Sequence, residues 1–449
     1  MRFFYTLVLI CFTYYASAQT IRFQQSFESA KLKAVKEKKP IALIFNPTTL
    51  SPKMNALNSS VLTNASVVEV FNKDFINVKF YNDSDGSKKL IAKYHLSKTP
   101  TVVFLDYNAD ILLKVDLTGN SITILKQAEL ANAYAKQGTL AYFKKEYSKG
   151  NRNKEFLRKY LIKLNNIKLL DNTQILEDFV NSLQVSDLND YQTVLTILKS
   201  GPILDSKNYK LAYLNESVVD SIYKTENNDI RVAMNLLIRN KSLQVAIKNK
   251  DIGLLSNINN FEHKRYGKDY QEANKIVQFN YISYYSGIKD TLKYFQAASN
   301  FFKRYYLSIN QDSCKKLDSI FTLKMKEKTL AKLKEATEQG EKNSSYSTFY
   351  TMPSGNMAKM LLVHASRFAG YKLKDKPKLY ELLDWTGKSY EFYPQPGALN
   401  TMAILLYQLG FYTEAEVKVQ EAITLAKSKN MGSFKFYEDT LDKIKTRTL

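Results

Sequence analysis

Two cysteines, Cys11 and Cys314, and three histidines, His95, His263 and His364, have the greatest capacity for redox, nucleophilic or metal chemistry in this 449-residue chain. Their spacing denies them most of it. Disulfide exchange needs a thiolate to attack and a second thiol to resolve the mixed disulfide, and the two cysteines are remote in sequence. A metal site needs ligands in closely spaced groups, and each histidine stands alone, so a structural role is expected for all three. Asp83-Ser84-Asp85-Gly86 hints at a calcium loop. The EF-hand template would then put Tyr81 at its first position and Ala92 at its twelfth, neither of which can ligate through its side chain, so a plain turn is expected. There is no Gly-x-Ser-x-Gly, no P-loop and no Gly-x-Gly-x-x-Gly. No catalytic residue, metal or cofactor is expected.

The chain opens MRFFYTLVLICFTYYASAQT. Arg2 precedes an apolar run from Phe3 to Tyr15 that is too short to cross a bilayer as a helix. Ala16-Ser17-Ala18 has the small-x-small form of a cleavage site, so residues 1–18 read as a signal peptide, with Gln19 starting the mature chain. The alternative is a buried terminal helix or strand. A lipoprotein would use Cys11, but the preceding Ile10 is bulky. Export would remove Cys11 and leave Cys314 as the one thiol, unable to form an internal disulfide. Cys314 lies in the helix-like QDSCKKLDSI, where it reads as a small apolar residue, with intermolecular pairing as the alternative. No later stretch is apolar enough for a membrane helix, which implies a periplasmic or secreted protein.

Lys and Arg number 65 against 43 Asp and Glu, a net charge of +22. Nucleic-acid modules concentrate such charge on one face or element. Here it is spread evenly, so no specific nucleic acid is expected, only weak attraction to anionic envelope surfaces.

Elements can be read around these residues. KKPIALIFN has the continuous apolar run of a strand buried on both faces. LNSSVLTNASVVEVFNKDF reads as a helix around Val67, Val70 and Phe71, with Asn64 or Ser66 as N-cap. FINVKFY is a second buried strand, and KKLIAKYHL a short helix. TPTVVFLDYNADILLKVDL gives two antiparallel strands about the turn Asn108-Ala109-Asp110, and a helix from about Ile122 to Lys136 closes the unit. The order β-α-β-α-β-β-α predicts a mixed sheet with helices on both faces.

Residues 21–140 resemble the thioredoxin superfamily, most closely its exported branch. The most specific segment is Lys98-Thr99-Pro100-Thr101-Val102-Val103-Phe104-Leu105-Asp106, similar to the family's Thr-Pro-Thr strand entry. The resemblance implies that Thr99–Pro100 is a cis bond. FNPTTLSPKM, residues 45–54, stands where the family carries its redox motif and contains no sulfur. Counting forward from Phe45 places the family's two cysteines at Leu50 and Lys53. Counting back from Met54 places them at Thr48 and Ser51. The family's buried carboxylate falls on Ile44. A hydroxyl is hardly ionised at neutral pH, and Lys53 could serve as a base only if desolvated. The fold is therefore expected without the oxidoreductase activity. The resemblance also implies a groove for an extended peptide, held through main-chain hydrogen bonds that need no cysteine. Its residues here are Thr48, Thr49, Leu50, Ser51, Thr99 and Pro100. The alternative is that Pro100 only packs the fold.

Beyond Gly138 the apolar spacing becomes helical. EFLRKYLIKL places Leu157, Tyr160, Leu161 and Leu164 on one face, and ILEDFVNSL places Ile175, Phe179, Val180 and Leu183 on another. Short polar breaks predict antiparallel hairpins. ALNTMAILLYQLGFYTEAEVKVQEAITLA resembles a tetratricopeptide repeat, with Ala403, Gly410, Tyr412, Glu414-Ala415 and Ala422 at its marker positions. LYELLDWTGKSYEFYP resembles the second helix of a preceding repeat, with Gly387 at the small position and Pro394 at its end. Trp385 reads as core. So few repeats cannot stand alone, so degenerate hairpins should extend the stack upstream. The expected domains are a thioredoxin-like 19–140, degenerate helical hairpins over 141–350 and tetratricopeptide-like repeats over 351–449.

The expected function is that of a non-enzymatic binding, scaffold or chaperone-like module of a bacterial envelope, with a protein or extended peptide as partner. The alternative is an accessory of a thiol–disulfide system whose cysteines lie on another chain. A third reading, binding of an anionic glycan or lipid headgroup through dispersed lysines, would show steep salt dependence.

Overall fold

Five consecutive fully buried side chains, Ile41 to Phe45, mark the centre of a five-stranded sheet. The computed structural model describes residues 20–46, 59–81, 85–94, 96, 100–117, 121–136, 138–167, 171–338, 352–429 and 434–449. These divide into two compact units. The first holds the described residues up to 200 together with 214–224 and 331–338, and the second holds 201–213, 225–330 and the described residues from 352 onward.

In the first unit the chain runs β1 (Phe23–Gln24), α1 (Phe27–Glu37), β2 (Ile41–Asn46), α2 (Ala65–Asp74), β3 (Ile76–Tyr81), α3 (Asp85–Lys93), β4 (Thr101–Leu105), β5 (Ile111–Asp116) and α4 (Ser121–Lys136). The strand order is β1-β3-β2-β4-β5, with β1, β2 and β3 parallel and β4 and β5 antiparallel to their neighbours. That is the mixed, helix-flanked sheet of a thioredoxin-like fold, as the sequence implies. Alternate residues of β2 and β4 face α2 and α4: Ala42, Ile44, Val102 and Phe104 join Val67, Phe71, Ile124 and Ala128 in one core. The intervening Ile41, Leu43, Phe45 and Val103 are buried on the other face. Each such large side chain contributes about 1.5–3 kcal/mol relative to remaining in water. The Asn64 side chain caps α2, accepting from the N–H groups of Ser66 and Val67. Ala109, in the β4–β5 turn, has a φ of 65°.

β1 and α1 go beyond the sequence reading, which begins at β2. A two-residue strand carries no periodicity. In α1 only Ala30 and Ala34 are buried, while Leu32 is 77% exposed, so its apolar pattern does not mark its packed face. The short helix predicted from KKLIAKYHL begins earlier, at Asp85, so Asp85 and Gly86 of the expected turn are helical, while Asp83 and Ser84 lie outside the described residues.

Helices α5 (Leu140–Ser148), α6 (Lys154–Asn166), α7 (Thr173–Asn181) and α8 (Tyr191–Lys199) belong to the same unit. The predicted face of α6 is buried as read. On α7 the buried side chains are Leu176, Phe179 and Val180, with Ile175 and Leu183 half-buried, so the face is rotated slightly from the predicted one. Asn and Asp side chains start many helices: Asn153 caps α6 and Asp190 caps α8, each replacing a partner that the first helical N–H groups lack.

The second unit is helical, including α9 (Lys207–Ala212), α11 (Asn228–Asn249), α12 (Ile252–Tyr266), α13 (Tyr270–Gly287), α14 (Thr291–Phe302), α16 (Pro353–Gly370), α17 (Lys376–Phe392), α18 (Pro396–Leu409), α19 (Tyr412–Ser428) and α20 (Lys435–Lys445); α10 (Glu216–Thr225) and α15 (Gln311–Glu338) have parts in each unit. Trp385 is fully buried, as expected, with ring centres of Phe302 at 4.8 Å, Phe295 at 5.6 Å and Phe368 at 6.1 Å. Cys314 belongs to this core at 3% exposure. Ala403, Ala415 and Ala422 are fully buried, and Gly410 ends α18 with a φ of 90°. Gly387 is not a close-approach site, because an added Cβ would meet nothing within 4 Å. Gly287 is one: a Cβ there would come within 2.6 Å of the Ile247 side chain. Among the described residues no helix is long and apolar enough to cross a membrane.

Candidate functional site

The antiparallel pairing of β2 with β4 aligns Phe45 with Thr101. Pro100 therefore enters the sheet at the end where β2 finishes at Asn46, at the carboxyl ends of the parallel strands β2 and β3. Of the six groove residues, Pro100 is placed by the structure; Thr48, Thr49, Leu50, Ser51 and Thr99 lie outside the described residues, as do Lys53, His95 and the Thr99–Pro100 bond. Pro100 is buried, and its carbonyl accepts from the Leu117 N–H at 3.0 Å. It lacks an N–H of its own, so it fits at the entry of a strand rather than within a ladder.

Around this point the surface is aromatic and amide-bearing. Phe45 stacks on Phe80 with ring centres 5.4 Å apart. Asn46 closes β2 opposite Tyr81, and its Oδ1 is buried with no hydrogen-bond partner among the described residues. Tyr81 is 52% exposed, with Lys79 Nζ 5.2 Å from its ring centre. Ile44 is fully buried where the family carries a carboxylate. No ionisable side chain stands in β2 or in residues 100–105. These groups can shelve an extended main chain and pack its side chains.

Cys314, the free cysteine among the described residues, belongs to the second unit's core. Burial first, then the nearby Asp318 and Glu391 carboxylates, push its thiol above the ordinary range, which suppresses the reactive thiolate. Intermolecular pairing of so buried a sulfur would require the core to open.

Sequence reasoning missed three buried polar groupings. At the opposite end of the sheet, Asp106 follows β4 and is 1% exposed. Its Oδ1 accepts from the N–H groups of Asn108 at 2.9 Å and Asp110 at 2.7 Å, while its Oδ2 has no hydrogen-bond partner. Lys163 of α6 is 5% exposed, its Nζ without a hydrogen bond among the described residues and 5.3 Å from the Tyr134 ring centre. Burial lowers the Lys163 ammonium pKa against the pull of Asp106 and Asp110, and burial raises that of the Asp106 carboxyl. The signal was present: Lys163 sits three residues after Tyr160 and seven after Phe156, on the apolar stripe of α6. In α12 the fully buried Glu262 lies 2.7 Å from Arg265 and 3.9 Å from Arg239. Finally, His364 Nδ1 lies 2.5 Å from Tyr294 Oη inside the second unit's core. Its pKa is pushed down to about 4 by burial and then by Arg367. His364 is buried between the Tyr294 and Phe302 rings. His263 lies in the last turn of α12.

Among the described residues no group of three or more His, Cys, Asp or Glu side chains could hold a metal ion. No family model matches the chain, and no curated protein matches it. Among solved structures, a thioredoxin from Thermus thermophilus matches 26% of this chain and 90% of its own length, with 18% identity and a TM-score of 0.24. An oxidoreductase named DsbH matches 25% of this chain and 84% of its own, with 16% identity and a TM-score of 0.23.

Proposed function

We propose that this chain is an exported, non-catalytic binding protein that holds an extended segment of a partner protein at the carboxyl end of β2. Its helices from 141 onward form a second binding surface, arranged over 351–449 as tetratricopeptide-like repeats. The observation that carries this reading is the Phe45–Thr101 register, which brings Pro100 beside the exit of β2 in strands free of ionisable side chains. A partner strand bound there would gain main-chain hydrogen bonds, and its side chains would meet Tyr81 and the shelf around it. The buried alanines of α18 and α19 and the left-handed Gly410 support close helix pairing at the carboxyl end. The leader-like residues 1–18 support an envelope location, and a chaperone-like role suits a site that reads backbone more than sequence.

Labelled, reduced and carboxymethylated α-lactalbumin, an extended chain without free thiols, tests this reading by fluorescence anisotropy. Saturable binding is expected, weakened about tenfold by Pro100→Ala, the scale of a lost apolar contact. Anisotropy that stays flat across the titration would refute it.

A further inference from the structure

Helices α13 and α14 leave between them an open groove of about 480 Å³. α13 contributes a stripe of Gln278, Tyr281 and Tyr285, and α14 a facing stripe of Lys293, Gln296 and Asn300. Both stripes repeat at i, i+3 and i+7, so each side of the groove is about 10 Å long at about 1.5 Å of rise per residue. An extended chain rises about 3.3 Å per residue, and the groove therefore matches about three residues of a strand. Ala297 lies among the lining residues, a small side chain that lets a flat backbone come near.

The lining chemistry points the same way. Three carboxamides each present a donor and an acceptor in one plane, the pairing that a peptide N–H and C=O require. Gln278 Oε1 is buried and has no hydrogen-bond partner among the described residues. Tyr281 and Tyr285 lie with ring centres 6.1 Å apart and planes within 19° of parallel, a surface against which alternate side chains of a strand can rest. Lys293 supplies a cation at one end. Its Nζ is 5.7 Å from the Tyr285 ring centre, and its ion pair with Asp290 is long, at 3.8 Å, and exposed. No carboxylate lines the groove to repel an acidic ligand. A sugar would want a bare aromatic face to stack on, and the Tyr285 face carries the Lys293 ammonium.

We infer that this groove binds an extended peptide segment of about three residues, its backbone held by Gln278, Gln296 and Asn300 and an acidic side chain or terminal carboxylate held by Lys293. The inference rests on the reading of the helical region as a surface for protein segments, but it uses residues remote in sequence from Pro100.

The test uses the full chain and two fluorescein-labelled hexapeptides, Gly-Ser-Val-Thr-Ala-Asp with a free carboxylate and Gly-Ser-Val-Thr-Ala-Asn with an amide end. Saturable binding of the acidic peptide is expected, with the neutral one about tenfold weaker, the scale of one charge-assisted bond. The double variant Gln296→Ala/Asn300→Ala, at two exposed positions and with an unchanged melting temperature, should weaken the acidic peptide at least about tenfold. Lys293→Glu should abolish the preference between the two peptides. Equal binding by the double variant, no saturable binding of either peptide up to about 1 mM, or tighter binding of chitotetraose than of the acidic peptide would overturn the inference. α-Lactalbumin binding that weakens with Pro100→Ala, beside hexapeptide binding that the double variant leaves unchanged, would mean that the sheet-end reading stands while this groove does not. Loss of the hexapeptide alone therefore separates the two.

Discussion

Asp106→Asn is expected to lower the unfolding free energy by about 1–2 kcal/mol, the scale of weakening an acceptor that takes two N–H groups and of removing a carboxylate whose field acts on the buried Lys163. The substitution is nearly isosteric, and the amide oxygen can still accept from Asn108 and Asp110. What it removes is the negative charge whose field acts on Lys163, a lysine 5% exposed with no hydrogen bond at Nζ among the described residues. The other carboxylate acting on that ammonium is Asp110, which already accepts from the Ala141 N–H. The double variant Asp106→Asn/Lys163→Met should recover most of the loss, because a Met fills much of the same volume without a charge to desolvate. Urea unfolding of the wild type, both single variants and the double variant would measure the coupling directly. Additive effects of the two substitutions would show that the charges do not act on each other.

The second large effect is a loss of stability in acid that comes from His364. In the folded chain its pKa is about 4, against 6.5 for a free imidazole. Between these values the unfolded chain binds a proton that the folded chain refuses. Stability therefore rises with pH across this window and falls as pH drops from about 6.5 to about 4, by about 3 kcal/mol in total. The cause is structural: the ring is enclosed by Phe302 and Tyr294 and lies near Arg367. Asp106 and Glu262 act in the opposite sense, since burial raises both and a raised carboxyl favours the folded state in acid. The His364 contribution is isolated by comparison with His364→Gln, which keeps a hydrogen-bonding group toward Tyr294 but cannot titrate. The variant should lose about 3 kcal/mol less than the wild type between pH 6.5 and pH 4. Parallel stability curves would remove this role.

The sheet was legible because burial on both faces leaves a strong mark: IALIF and VVFL are uninterrupted apolar runs, and FINVKF is apolar except for Asn77 and Lys79. The helix cap at Asn64 and the turn at Ala109 were also readable, since each depends on a local residue preference. α1 was not, because it packs through two alanines while its leucine points to solvent. The buried polar pairs were invisible for a different reason. Asp106 with Lys163, and Tyr294 with His364, are joined by the fold across 57 and 70 positions of sequence, and only an out-of-place lysine on the stripe of α6 hinted at one of them. The groove of α13 and α14 escaped notice because polar residues at helical spacing look like any solvated face until a second helix is set against them. At the sheet end, the sequence made the absence of sulfur plain, whereas the meeting of Pro100 with the exit of β2 depends on an antiparallel register.

In the function proposed, the carboxyl end of β2 holds a chain without exchanging electrons with it. The most direct measurement is reduction of insulin by dithiothreitol in the presence of the chain lacking residues 1–18, beside a Cys314→Ser variant. Both proteins should leave the rate of insulin precipitation at the dithiothreitol background. Acceleration comparable to that of a thioredoxin, retained in the Cys314→Ser variant, would contradict it.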